Sequence, residues 1–149
     1  MQEAKLILLF LAFFLTGNIA SSQTENKNTM MGGTMLYTER DSLGPVYNWV
    51  EQMPETEGGM KVLQEFIAHR PYPQCGLDAN IEGVVVLQFI VEKDGSISGT
   101  KIVRNPDECL SKAALDYFNM VPSWKPGKYN GEIVACYFTL PIKYYIKRG

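Results

Sequence analysis

The residues best suited to chemistry are few: one histidine, His69, and three cysteines, Cys75, Cys109 and Cys136. His69 with Cys75 or Asp78 is the one combination that could form an activated nucleophile. A lone histidine closing a helix is more simply a surface residue, its charge favoured by the C-terminal dipole. The cysteines lie far apart with no C-x-x-C spacing, so neither a zinc site nor a dithiol couple is expected, and no metal or cofactor is implied. Ser96 and Ser98 have no neighbouring histidine to activate them. Gly58-Gly59 lacks the lysine and the preceding strand of a phosphate loop. Glu92, Lys93, Asp107 and Glu108 stand at element ends, where charges are normally solvated, and Asp94 is accounted for by turn geometry. The sequence points to no enzyme, and a small Cys/His enzyme is kept only as an unfavoured alternative.

These residues sit on a chain of 149 residues and 16.8 kDa, enough for one domain. With 46% apolar and 20% charged residues the composition is that of a globular protein. A net charge of −2 and a pI near 5.4 give no reason to expect nucleic acid or an anionic membrane as a partner, and Lys125 and Lys128 are too few to change that.

Residues Leu6 to Leu15 form an unbroken apolar run, LILLFLAFFL, after Lys5 and before TGNIASSQ. A charged start, a short apolar core and the small-residue site Ala20-Ser21-Ser22 read as a secretory signal peptide over 1–22. The run falls short of the roughly 20 apolar residues that span a membrane. An uncleaved membrane anchor is the competing reading. Export brings an oxidising compartment. At most one internal bridge forms, and Cys75–Cys109 is the candidate because both lie in polar, turn-rich sequence. Cys136 falls inside a strand pattern and reads as a small buried apolar residue.

Residues 23–50 show no sustained period and read as a leader or linker. From 51 to 146 the pattern is regular. Met60, Leu63, Phe66 and Ile67 recur at helical spacing up to Pro71. A strand apolar on both sides follows Gly83, and Asp94-Gly95 makes a hairpin. In the return strand Ile97 and Ile102 differ in phase, so a slip is expected at Gly99. Asn105 is the expected cap of a second helix, with Pro106 in its first turn and Glu108 reaching back. Pro122 ends that helix. Turns at Trp124-Lys125-Pro126-Gly127 and Asn130-Gly131 lead into a last strand from Glu132. The order α-β-β-α-β gives a two-layer α+β domain with a three-stranded antiparallel sheet and two helices. Such a sheet has unpaired edges, which add strands from other chains. A homodimer through the same edge is also possible. Pro141 cannot donate a ladder hydrogen bond.

The stretch 51–146 resembles the C-terminal domain of TonB-family proteins. The matching pieces are MPETEGG (53–59), Tyr72-Pro73, NIEGVVVLQFIVEKDGSIS (80–98), KIVR (101–104), Ala113-Ala114-Leu115, WKPGKYNGEIV (124–134) and FTLPIKY (138–144). The resemblance implies a periplasmic domain that engages outer-membrane TonB-dependent transporters, whose short N-terminal box adds as a strand to the domain's last strand. Carried onto this chain, the recipient residues are Ile133, Val134, Ala135, Cys136, Tyr137, Phe138, Thr139 and Leu140, with flanking contacts from His69, Arg70 and Tyr72. Tyr72, Pro73, Gly83, Asp94, Gly95, Trp124, Pro126, Gly127, Asn130 and Gly131 match structural positions. The implied role is to support transport as an energy transducer, with an inner-membrane motor complex involved only if the anchor stays uncleaved. The alternative is a stand-alone adaptor or competitor.

Overall fold

A computed structural model describes residues 30–31, 34–35, 37–40 and 42–149, so the signal-peptide reading of 1–22 lies outside the described residues. Three long strands carry the fold: β6 (Gly83–Val91), β7 (Ile97–Arg104) and β10 (Glu132–Tyr144). Two helices, α1 (Gly59–Ala68) and α3 (Glu108–Phe118), cover one face of their sheet. The expected α+β arrangement is present. No helix among the described residues is long and apolar enough to cross a membrane.

The sheet exceeds the expected three strands. Its order is β3-β4-β10-β6-β7, where β3 is Tyr37–Thr38 and β4 is Val46–Tyr47, and β9 (Gly127–Tyr129) also pairs with β10. Short pairs β1–β2 (Met30–Met31, Thr34–Met35) and β5–β8 (Glu55–Thr56, Trp124–Lys125) stand apart from it. The linker boundary drawn at residue 50 is corrected accordingly. Val46 and Val50 are buried, and Tyr37–Thr38 and Val46–Tyr47 belong to the sheet, where Val46 completes a small cluster with Ile90 and Ala135.

Alternation along the strands decides the core. Val85, Leu87, Phe89 and Val91 of β6 face the helices beside Phe138, Leu140, Ile142 and Tyr144 of β10. Leu63 of α1 and Leu110, Ala114 and Phe118 of α3 close the layer. Phe89 lies 4.6 Å from Phe118 and 5.3 Å from Trp124, centroid to centroid. Each such buried side chain contributes about 1.5–3 kcal/mol. The slip in β7 falls where Gly99 stands. Gln88 pairs with Lys101 and Ile90 with Ser98, so an extra β7 residue bulges, with Gly99 at φ +58°. Ile97 and Ile102 thereby both reach the core.

Two local readings change. The α3 cap is Asp107, whose Oδ1 accepts from Cys109 N at 2.8 Å, and Asn105 instead accepts from Ser111 Oγ at 2.6 Å. The cap falls at Asp107, whose extended backbone (φ −164°, ψ 143°) directly precedes the first helical residue, Glu108, so Asn105 lies two residues upstream of it. The turn-rich stretch after Pro73 contains a short helix, α2 (Gln74–Asp78), tied to α3 by a Cys75–Cys109 disulfide with Cα atoms 6.3 Å apart.

Candidate functional site

The last strand has two unlike edges. Along one, β10 pairs antiparallel with β6 from Cys136↔Val91 to Tyr144↔Gly83. Along the rest of its length the partners are short: β9 meets Glu132, Ile133 and Val134, and β4 runs parallel beside Ala135 and Cys136. From Tyr137 to Tyr144 the strand has β6 as its ladder partner and no other among the described residues. The recipient stretch expected over 133–140 divides at this point. Ile133, Val134, Ala135 and Cys136 are already paired, whereas Tyr137, Phe138, Thr139 and Leu140 keep an open edge that runs on to Tyr144.

Pro141 sets the phase of that edge. It lacks an N–H yet sits inside an unbroken ladder opposite Val86. In an antiparallel pair successive residues turn their main-chain groups to opposite sides, so a proline fits where no bond to the partner is required. Its phase-mates Thr139 and Lys143 then aim their N–H groups at the open edge, and the Pro141 carbonyl aims there as an acceptor. The edge borders a groove of about 420 Å³ between α1 and β10, walled by Met60, Leu63, Ile67, Leu140, Pro141 and Lys143 and reached by Arg70.

The flanking residues gather at the end of α1. His69 caps the helix through its backbone N–H, and its Nδ1 lies 2.7 Å from the Glu65 carbonyl oxygen. Arg70 donates from Nη1 to the Ile67 carbonyl at 2.7 Å and lays its guanidinium 4.6 Å over the Tyr144 ring. Tyr72 donates to the Ile81 carbonyl at 2.5 Å and meets Tyr144 edge-on at 5.5 Å. Arg70 Nε and the Tyr144 hydroxyl are buried without a hydrogen-bond partner among the described residues. Burial pushes the Tyr144 phenol above its ordinary range, while the adjacent guanidinium pulls the other way.

The turn residues hold this frame. Asn130 and Gly131 both take positive φ, +49° and +76°, as a tight hairpin between β9 and β10 requires. Asp94 Oδ1 accepts from Ser96 N at 2.9 Å, and Gly95 at φ +83° brings the hairpin against the Trp124 carbonyl. A Cβ on Gly83 would come within 2.7 Å of Pro106, and one on Gly127 within 2.8 Å of Cys136 Sγ. Pro73 starts α2 as its N-cap, and Pro126 separates β8 from β9. The nucleophile pairing of His69 with Cys75 loses its basis, because the Cys75 sulfur is bonded to Cys109. Cys136 is buried, which pushes its thiol up to about 11 and keeps it protonated at neutral pH.

A contact that local sequence reading misses fixes the N-terminal segment. Arg40 forms a two-point pair with Glu92, Nη1 to Oε1 at 2.8 Å and Nη2 to Oε2 at 3.0 Å, both side chains four-fifths buried. Glu92 also accepts from Ser98 Oγ. The Arg40 hydrogen bond is the main cause holding the Glu92 carboxyl below its usual range, with nearby Asp94 opposing. A depressed folded pKa means stability that is present above the unfolded value and lost as pH falls through the folded one. Unfolding free energy is expected to drop by about 1 kcal/mol from this group as pH falls below about 4. Arg40→Ala should remove that component, read from denaturant midpoints at a series of pH values.

Comparison with known proteins follows the same lines. The family described as Gram-negative bacterial TonB protein C-terminal matches residues 68–146. The chain is similar to protein TonB of Haemophilus influenzae, 38% identical over 60 residues, covering 40% of this chain and 22% of that protein. It thus spans about a fifth of the length of this curated relative. Among solved structures, the solution structure of the Helicobacter pylori TonB-CTD is similar at 28% identity with a TM-score of 0.47, covering 60% of this chain and 81% of that one. With the family match extending from the end of α1 through the whole of β10, the chain belongs to the TonB C-terminal family.

Proposed function

We propose that this domain works in the periplasm, after cleavage of the 1–22 segment, as the receiver of an extended peptide from an outer-membrane TonB-dependent transporter. The peptide adds as a strand to the Tyr137–Tyr144 edge of β10 and so supports transport across that membrane. The observation that carries this reading is the Tyr137–Tyr144 stretch of β10, which has β6 as its one ladder partner among the described residues, with an apolar groove beside its other side. Main-chain groups supply the affinity, and alternate side chains of the visitor fill the groove under α1. The Arg70 guanidinium, stacked on Tyr144, closes its end. The family membership supports the choice of partner. His69 and Tyr72 serve here by shaping the α1 end rather than by chemistry of their own.

Titration with a transporter box peptide is expected to shift the amide resonances of Thr139 and Lys143 and the side chains of Ile67 and Arg70. Unmoved Thr139 and Lys143 amides at saturating peptide would overturn the reading. Thr139→Pro takes one donor from the open edge at an exposed position. It is expected to weaken binding about tenfold while leaving the unfolding midpoint nearly unchanged.

A further inference from the structure

The open edge begins where another strand stops. Val46 and Tyr47 lie parallel to Ala135 and Cys136, on the edge of β10 opposite β6. They are an in-cis strand addition, made by the segment 37–47. Val46 is fully buried against Ile90 and Ala135, and the Tyr47 ring sits between Tyr37 at 5.3 Å and Tyr129 at 5.1 Å. Beyond Tyr47 the chain leaves the edge: Asn48 and Trp49 are exposed, and Gln52 bridges to Lys128 of β9 instead. A two-residue ladder is too short to hold a strand by itself. The long-range tie is Arg40, which closes a turn onto Gly44 and reaches Glu92 at the end of β6 with both prongs of its guanidinium.

We propose that the 37–47 segment is an end stop, latched by Arg40 and Glu92, that sets how far along β10 a visiting strand can reach. The proposal rests on the strand-addition reading above and gives that site its register and length limit. With the latch closed, the segment holds Ala135 and Cys136 and the visitor ends at Tyr137. With the latch open, the same edge lengthens to Ala135, and a longer peptide gains rungs that the native protein withholds. The limit matters for selectivity, because register on a sheet edge is otherwise weakly specified and a one-residue slip turns every side chain over.

The test compares two probes on the full chain: an eight-residue transporter box peptide, and the same peptide lengthened by four residues at each end. On the unmodified protein the two are expected to bind alike, with Ala135 and Cys136 amides unmoved. On Arg40→Ala the long peptide is expected to bind about five- to tenfold tighter than the short one. Its addition should shift the Ala135 and Cys136 amides, while the short peptide keeps its native affinity. Val46→Asp, which places a carboxylate at a buried position, serves as a second way to release the segment and should give the same split. Equal binding of both peptides to both released variants overturns the end stop and leaves strand addition standing. So does a native protein that already favours the long peptide with Ala135 shifted. If neither peptide moves any β10 amide of the native protein, strand addition itself fails, and the end stop with it.

Discussion

Gly95→Ala is expected to lower the unfolding free energy by about 3 kcal/mol or more. Two causes act together. Gly95 holds φ +83°, where a Cβ strains against its own carbonyl, and that Cβ would lie 2.1 Å from the main-chain oxygen of Trp124. The obstacle is backbone at both ends, so the hairpin and the Trp124 turn must part for the methyl to fit. Trp124 would leave its place against Phe89 and Phe138, which stand 5.3 and 5.1 Å away. Gly131→Ala is the matched control, since Gly131 has φ +76° but open space around it. Strain alone should then cost about 1 kcal/mol. Guanidinium unfolding of the two variants separates the terms, and equal losses would show that the close approach to Trp124 yields freely.

Reduction of the Cys75–Cys109 bridge is expected to cost about 3–4 kcal/mol, from the loop-closure entropy of the 34-residue separation it spans. That loop contains β6, the hairpin and β7, so the bridge closes the hairpin's two ends against α3. The short helix α2 should lose order first, because five residues hold no stable helix without a tether. Denaturation with and without reductant measures the effect, and a Cys75→Ser, Cys109→Ser variant should match the reduced protein and ignore reductant. Cys136 should stay unlabelled by thiol reagents until the domain unfolds.

Long elements were legible because their signals are local and repeated. Met60, Leu63, Phe66 and Ile67 mark α1 by period, and the apolar run Val84–Val91, bounded by Gly83 and the Asp94-Gly95 turn, marks β6. Even the β7 bulge at Gly99 could be read, since Ile97 and Ile102 cannot share a face in a regular strand. What escaped depends on contacts far along the chain. The pair Arg40–Glu92 joins residues 52 apart, and Val46–Tyr47 is too short to show any period. Nothing near Ile133 to Cys136 announces that a leader segment and β9 will pair with them. The α3 cap is a smaller case: Asn105 and Asp107 are both good caps, and the folded backbone, extended at Asp107 with Asn105 tied to Ser111, selects Asp107.

The ladder between β6 and β10 runs through nine consecutive residue pairs in unbroken register. Its hydrogen bonds lie across the strand axis. On the proposed strand addition, a pull along the peptide would load those rungs together in shear, instead of opening them one after another from an end. The joint between visitor and domain would then part before the receiving strand, which its buried side chains hold seated.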